Sequence, residues 1–181
     1  MKKLILSYTI LFSFLSLQSH AEDQLNRSYR LGLSQNFLHS STLSQTAESG
    51  SGITGTYEFN LTPKFALGVN LEYRRFAGTE ALSQMGYGLI MKHSLASLSE
   101  ITPSLKPYVE YGLLMNVSRI KTRPNSGSSH DTKLAIGANF KAYEIPAFIE
   151  VSHHISRLSY FEQEKINLDY MQICLGWTET F

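Results

Sequence analysis

The sequence predicts an all-β chain, an eight-stranded antiparallel transmembrane barrel that follows a cleaved export signal. Three observations predict it. Beyond its first segment the chain has no apolar run of about 18 residues, so nothing in it crosses a bilayer as a helix. The remainder alternates apolar and polar residues at spacing two, the mark of strands with one wet and one dry face. The connections between those segments alternate as well, shorter on one side and longer on the other.

The chain begins with a targeting segment. Lys2 and Lys3 make a positive start, Leu4 to Leu17 form a short apolar stretch, and Ser19-His20-Ala21 puts small residues at a cleavage site. Residues 1–21 are therefore expected to be a signal peptide and residues 22–181 the barrel domain. The 181-residue chain carries a formal charge of +1; loss of Lys2 and Lys3 takes this to −1. With both signs well mixed, no basic field points to nucleic acid. A single cysteine, Cys174, can form no disulfide within the chain. An exported domain without such staples must be held together otherwise, and a closed sheet does so by pairing every backbone donor and acceptor.

The strands follow in order. A first, weaker one sets Tyr29, Leu31 and Leu33 against Ser28, Arg30 and Gly32. The second sets Ile53, Gly55, Tyr57, Phe59 and Leu61 against Thr54, Thr56, Glu58 and Asn60. After the turn Leu61-Thr62-Pro63-Lys64, Phe65, Leu67, Val69, Leu71 and Tyr73 oppose Ala66, Gly68, Asn70, Glu72 and Arg74. In the fourth, Met85, Tyr87, Leu89 and Met91 oppose Gln84, Gly86, Gly88 and Lys92. The fifth sets Val109, Tyr111, Leu113, Met115 and Val117 against Lys106, Glu110, Gly112, Asn116 and Ser118. Leu134, Ile136, Ala138 and Phe140 then oppose Lys133, Gly137, Asn139 and Lys141. In the seventh, Ile149, Val151 and Ile155 oppose Glu150, Ser152, His154 and Ser156. The last sets Met171, Ile173, Leu175 and Trp177 against Gln172, Cys174, Gly176 and Thr178.

Leu61 to Lys64, Leu95 to Ser104 and Tyr143 to Pro146 form the short side, with both termini, and are expected to be periplasmic. The polar connections Phe37 to Ser51, Phe76 to Leu82, Ile120 to Asp131 and Leu158 to Lys165 are expected to be extracellular. Ser40 to Gly52 and Asn125 to Ser129 read as loop tips.

Lipid is expected outside. The apolar face is bulky, the other mixes small residues with opposite charges, and Phe59, Phe65, Phe140, Trp177 and Phe181 recur near the turns as an interfacial girdle. Arg30, Glu58, Glu72, Arg74, Lys92, Lys106, Glu110, Lys133, Lys141 and Glu150 then point inward. An eight-stranded interior is just wide enough for side chains, and buried charges must pair, so a salt-bridged plug is expected. The alternative is a narrow pore for small solutes, along a lane over the inward Gly68, Gly86, Gly88, Gly112 and Gly137.

The terminal Phe181, with Gly176 and apolar residues at spacing two before it, resembles the C-terminal signal of outer-membrane barrels; Glu179 departs from it. The stretches YEFNLTPKFALGVNLEYRRF at 57–76 and KPYVEYG at 106–112 resemble the small OmpA/OmpX and opacity-type barrel superfamily. That resemblance implies residence in the outer membrane, contact with its lipids and lipopolysaccharide, and insertion by the barrel-assembly machinery. It also implies a structural or surface-interaction role through the loops, with an extracellular ligand among the possibilities.

One local pattern carries chemistry. His154 and Ser156, two apart on a strand, share a face, so the imidazole could take the hydroxyl proton while an acid orients the ring. This resembles the His-x-Ser element of PagL-type lipid A deacylases, which implies His154 as base, Ser156 as nucleophile and Asp169 or Glu164 as acid. Arg157 stands where that family has Asn, and Leu168 about where it has its Glu. The alternative reading makes both residues members of the lumen network. His39, His93, His130 and His153 lack metal-ligand spacing, and no cofactor motif occurs, so neither metal nor cofactor is expected.

Overall fold

The computed structural model describes residues 26–41, 47–78, 81–95, 104–121, 126–160 and 164–181. The export signal read at residues 1–21 lies outside them. Eight strands, β1 (Arg27–Ser41), β2 (Ala47–Asn60), β3 (Phe65–Gly78), β4 (Leu82–Ser94), β5 (Leu105–Ile120), β6 (Ser126–Ala142), β7 (Ile145–Tyr160) and β8 (Glu164–Thr180), pair antiparallel in sequence order. β8 returns to β1, with Leu33 opposite Leu175 and Ser28 opposite Thr180, so the barrel is closed. Closure leaves no open edge, which hydrocarbon would punish.

The alternation becomes a two-sided wall. In β3 every second residue from Ala66 to Phe76 is buried and every second from Phe65 to Ala77 is exposed. Apart from Arg75 near the long-connection end, that exposed set is apolar, as it is elsewhere on the wall: Leu33 and Leu113 are each 71% exposed, and Ile136 is 65% exposed. So much aliphatic surface facing outward fits a hydrocarbon solvent and not water.

The strands run further than the apolar alternation. Ser40 to Gly52 reads as a loop tip, yet β1 reaches Ser41 and β2 starts at Ala47. Asn125 to Ser129 reads likewise, yet β6 starts at Ser126. Above the apolar band both faces of a strand are polar or small, so the period-two signal vanishes while the hydrogen-bond ladder continues.

The short-turn end is tightly tied. Thr62 Oγ1 accepts from the backbone N–H groups of Lys64 and Phe65 at 3.2 and 3.0 Å, fixing the β2–β3 turn. Tyr143 and Glu144 join β6 to β7 with φ of 50° and 70°, the two-positive-φ geometry that matches strand twist in a tight hairpin. Near the termini, the Tyr29 ring packs edge-on to Trp177 at 4.7 Å and stacks on Phe181 at 5.3 Å. Tyr29 lies opposite Glu179 and donates its hydroxyl to that carboxylate at 2.7 Å. Glu179, which departs from the terminal signal, is thus held by an aromatic with one apolar and one polar end.

Candidate functional site

The inward-facing side chains fall into two ionic groups and an apolar cap. The first group surrounds Arg30 in the short-turn half of the lumen. Its guanidinium meets three carboxylates: Nε reaches Glu58 at 2.8 Å, Nη1 reaches Glu150 at 2.8 Å, and Nη2 meets Glu110. Lys92 pairs with Glu58, and Lys133 reaches Glu110 and Glu150 at 2.7 Å each. Three cations therefore face three carboxylates, all at least nine-tenths buried. Tyr108 donates its hydroxyl to Glu150 at 3.0 Å, and its ring fills the space over Gly137, its partner across the β5–β6 ladder. Such a group is stable only with matched charge, because each ion has lost its water.

The second group surrounds Arg74, nearer the long-connection end. Its guanidinium contacts Glu72 at 3.2 Å, Asn116 Oδ1 at 2.8 Å and Asp131 at 3.5 Å. Tyr170 donates to Asp131 at 3.1 Å and lies under the guanidinium carbon at 4.9 Å. Asn70 accepts from Thr54 and Thr56 at 3.1 and 2.8 Å and donates to Glu72 at 2.6 Å.

Above it sits the cap. Phe76, Leu82, Ile120, Leu168 and Tyr170 form one buried cluster against which Leu38 packs. Phe76, Leu82 and Ile120 lie side by side across β3, β4 and β5. Burying each such side chain contributes about 1.5–3 kcal/mol.

Of the lumen residues read from the sequence, Arg30, Glu58, Glu72, Arg74, Lys92, Glu110, Lys133 and Glu150 are buried in these groups. Lys106 and Lys141 are not. Both are exposed at the short-turn end, where Lys141 reaches Glu144 at 3.5 Å. Strand parity carries to the rim, but there the lumen opens to solvent. Two glycines of the proposed lane are covered by side chains. A methyl carbon on Gly86 would lie 2.2 Å from Asn116 Oδ1, and one on Gly137 would lie 2.4 Å from the Tyr108 ring.

His154 and Ser156 are fully buried on the inward face of β7. Asp169 is not beside them. It lies opposite the outward Ile155, whereas His154 is opposite Tyr170 and Ser156 is opposite Leu168. Glu164 opens β8, and its side chain lies outside the described residues. The carboxylate nearest the ring is Asp131, opposite Ser156 across the β6–β7 ladder and 3.9 Å from Nδ1. The hydroxyl at Nε2 is Ser152, at 3.1 Å.

The proton positions follow from the partners. A guanidinium only donates, so Arg74 Nη1, 3.4 Å from His154 Nδ1, makes that nitrogen the acceptor and leaves the proton on Nε2. Nε2–H then donates to Ser152 Oγ, which donates to Gln172 Oε1 at 3.3 Å. Gln172 in turn donates to Asn36 Oδ1 at 3.1 Å. The chain of bonds runs away from Arg74, so His154 donates to Ser152 and accepts nothing from it. Asp131, Asn116, Gln172, Asn36 and Tyr108 were not singled out from the sequence as partners; their parity within each strand was the available signal.

No protein-family model matches the chain, and no curated protein matches it in sequence. Solved structures do match its shape. Neisserial surface protein A superposes with a TM-score of 0.57 at 13% identity, covering 87% of this chain and 97% of that one. The outer membrane protein OprG of Pseudomonas aeruginosa gives 0.52 at 11% identity, covering 87% and 96%. The fold is that of the small outer-membrane barrels. The outer membrane enzyme PagL shares it, with a TM-score of 0.51 at 12% identity over 79% of this chain and 97% of that one. At these identities the likeness concerns the fold and transfers no site.

Proposed function

We propose that this chain is an integral outer-membrane barrel with a structural or surface-interaction role exercised through its extracellular connections, its lumen serving as a fixed plug. The observation that carries this reading is the packing of the lumen. Three cations and three carboxylates neutralise one another in the lower half. An apolar cluster fills the lumen toward the long-connection end. Among the described residues both groups favour a closed lumen that holds the wall rigid beneath the loops. Outer-membrane lipids and lipopolysaccharide are the surroundings of such a wall, and the barrel-assembly machinery its route of insertion.

The deacylase reading makes a distinct claim. The Nε2–H of His154 points at Ser152, and Ser156 faces the interior, away from any acyl ester in the membrane. Mass spectrometry of lipid A from cells with and without the gene tests this directly. The acyl pattern is expected to be the same in both, and in cells carrying Ser156→Ala or His154→Ala. A loss of ester-linked chains that requires Ser156 would overturn the proposal. Single-channel recording of the purified barrel in planar bilayers addresses the pore; steady conductance steps would overturn the plug.

A further inference from the structure

Two connected hollows lie on the outside of the wall, where β8, β1, β2 and β3 run side by side. The lower one, about 700 Å³, is walled by Leu33, Ile53, Tyr73, Ile173 and Leu175. The upper one, about 480 Å³, is bounded by Ser49, Ala77, Gly78, Ala81 and Lys121. Gln35, Ser51 and Arg75 line both, so the two form one groove with Arg75 at its waist.

The sequence builds this groove locally. On the outward face of β2, Ser51 is a small residue set between Gln35 on β1 and Arg75 on β3. One step down that face, Ile53 is flanked by Leu33 and Tyr73. The floor is therefore apolar toward the membrane centre and polar toward the long-connection rim. Ala77 and Gly78 end β3 without bulk, and the Lys121 N–H donates to the Ala81 carbonyl at 3.0 Å, which fixes the chain at the upper end.

Charge then selects the occupant. Inside the lumen, Arg30, Arg74, Lys92 and Lys133 all have carboxylate partners. Arg75 and Lys121 are exposed and, among the described side chains, pair with no carboxylate. A guanidinium fork and an ammonium at the polar end of an apolar groove match a phosphate joined to hydrocarbon. The polar end lies on the side of the long connections, so the leaflet in question is the outer one.

From this geometry we infer a lateral binding site for the phosphorylated glycolipid of the outer leaflet, lipid A. A sugar-borne phosphate lies between Arg75 and Lys121, and an acyl chain runs down over Ile53 between Leu33 and Tyr73. The site depends on the barrel's place in the membrane and not on the non-catalytic reading, since it lies on the outer wall and not in the lumen beside His154.

Native mass spectrometry of the purified, folded chain in detergent tests it, with bis-phosphorylated lipid A as the probe. The unaltered chain is expected to retain one lipid A. Arg75→Ala/Lys121→Ala is expected to lower the retained fraction about tenfold or more. Ser51→Phe, which fills the waist without removing a charge, is expected to lower it too. Arg119→Ala, which removes one cation from the same rim outside the groove, is expected to change little. Equal retention by the double variant, or equal retention of phosphate-free lipid A or of phosphatidylglycerol by the unaltered chain, overturns the inference. Heat-modifiable migration on gels verifies folding. If the double variant does not fold, the comparison of the three lipids on the unaltered chain decides.

Discussion

Replacing Arg30 by leucine keeps most of the side-chain volume and removes the cation that three carboxylates share. What remains is uneven. Glu58 keeps Lys92, and Glu150 keeps Lys133 and the Tyr108 hydroxyl. Glu110 is left with Lys133 alone, which it already shares with Glu150. The group passes from balanced charge to a surplus of one negative, and that surplus falls on the Glu110–Lys133–Glu150 side. Removing one partner of a buried pair costs about 3–5 kcal/mol. Arg30→Leu is therefore expected to cost about that much, measured by reversible urea unfolding in phospholipid vesicles.

The arrangement also says which second change repairs the damage. Glu110→Gln removes the surplus charge where it sits, so Arg30→Leu/Glu110→Gln is expected to recover a large part of the loss. Glu58→Gln deprives Lys92 of its carboxylate, so Arg30→Leu/Glu58→Gln is expected to be no more stable than Arg30→Leu alone. A loss below about 1 kcal/mol for Arg30→Leu would mean that water or slack in the lumen replaces the guanidinium. Equal rescue by the two glutamine changes would refute the pairing itself.

Three further outcomes follow from the wall, the turn and the cap. Val69 faces lipid at mid-strand and is 42% exposed, so Val69→Arg is expected to cost about 2–4 kcal/mol in the same unfolding assay; a neutral result would mean the outer face is wrongly assigned. Tyr143 and Glu144 occupy the left-handed region without being glycine or asparagine, so the Asn-Gly replacement is expected to stabilise by about 1 kcal/mol and raise the urea midpoint. Phe76 is fully buried in the cap and packs edge-on to Tyr170 at 5.6 Å. Phe76→Ala is expected to cost about 3–5 kcal/mol, and a loss under 1 kcal/mol would show that the mouth is not sealed by packing.

Much of the architecture was legible because lipid and lumen impose opposite demands on adjacent residues. Phe65 to Arg74 alternates without exception, and β3 is buried and exposed in the same rhythm. Where those demands end, so does the signal. Ser49, Ser51 and Ser128 lie near strand ends where both faces are polar or small. Inward apolar residues were hidden for a related reason. Ile90 and Leu114 follow the parity of the lumen, yet each adjoins an outward apolar neighbour, so it reads as part of a run. Pairings were less legible still. Arg30 meets Glu110 across 80 positions of sequence, and only strand register decides which of several glutamates it reaches. The lysines at 106 and 141 show the converse failure, with parity continuing but height along the barrel placing them in solvent.

The same geometry decides what the His-x-Ser pattern is worth. On a barrel strand a slip of one residue moves every side chain to the other surface, so an inward pair becomes a lipid-facing pair only through an inserted residue. Register shifts occur in the β1–β8 ladder between Leu38 and Ser40 and in the β2–β3 ladder between Ala47 and Gly50. Along β7 the pairing with both neighbours is continuous from Ala147 past Ser156, with Glu150 opposite Gly137 and Cys174 and His154 opposite Lys133 and Tyr170. Glu150 is fixed inward by Arg30 and Lys133, and an unbroken period of two carries that orientation to Ser152, His154 and Ser156. The ionic group in the lower lumen thus determines the chemistry four residues above it. His154 Nδ1 lies 3.4 Å from Arg74, and Ser152 and Ser156 are buried on the inward face. Turning His154 and Ser156 outward would require one extra residue between Glu150 and His154, and that is the change through which this wall could acquire a catalytic face.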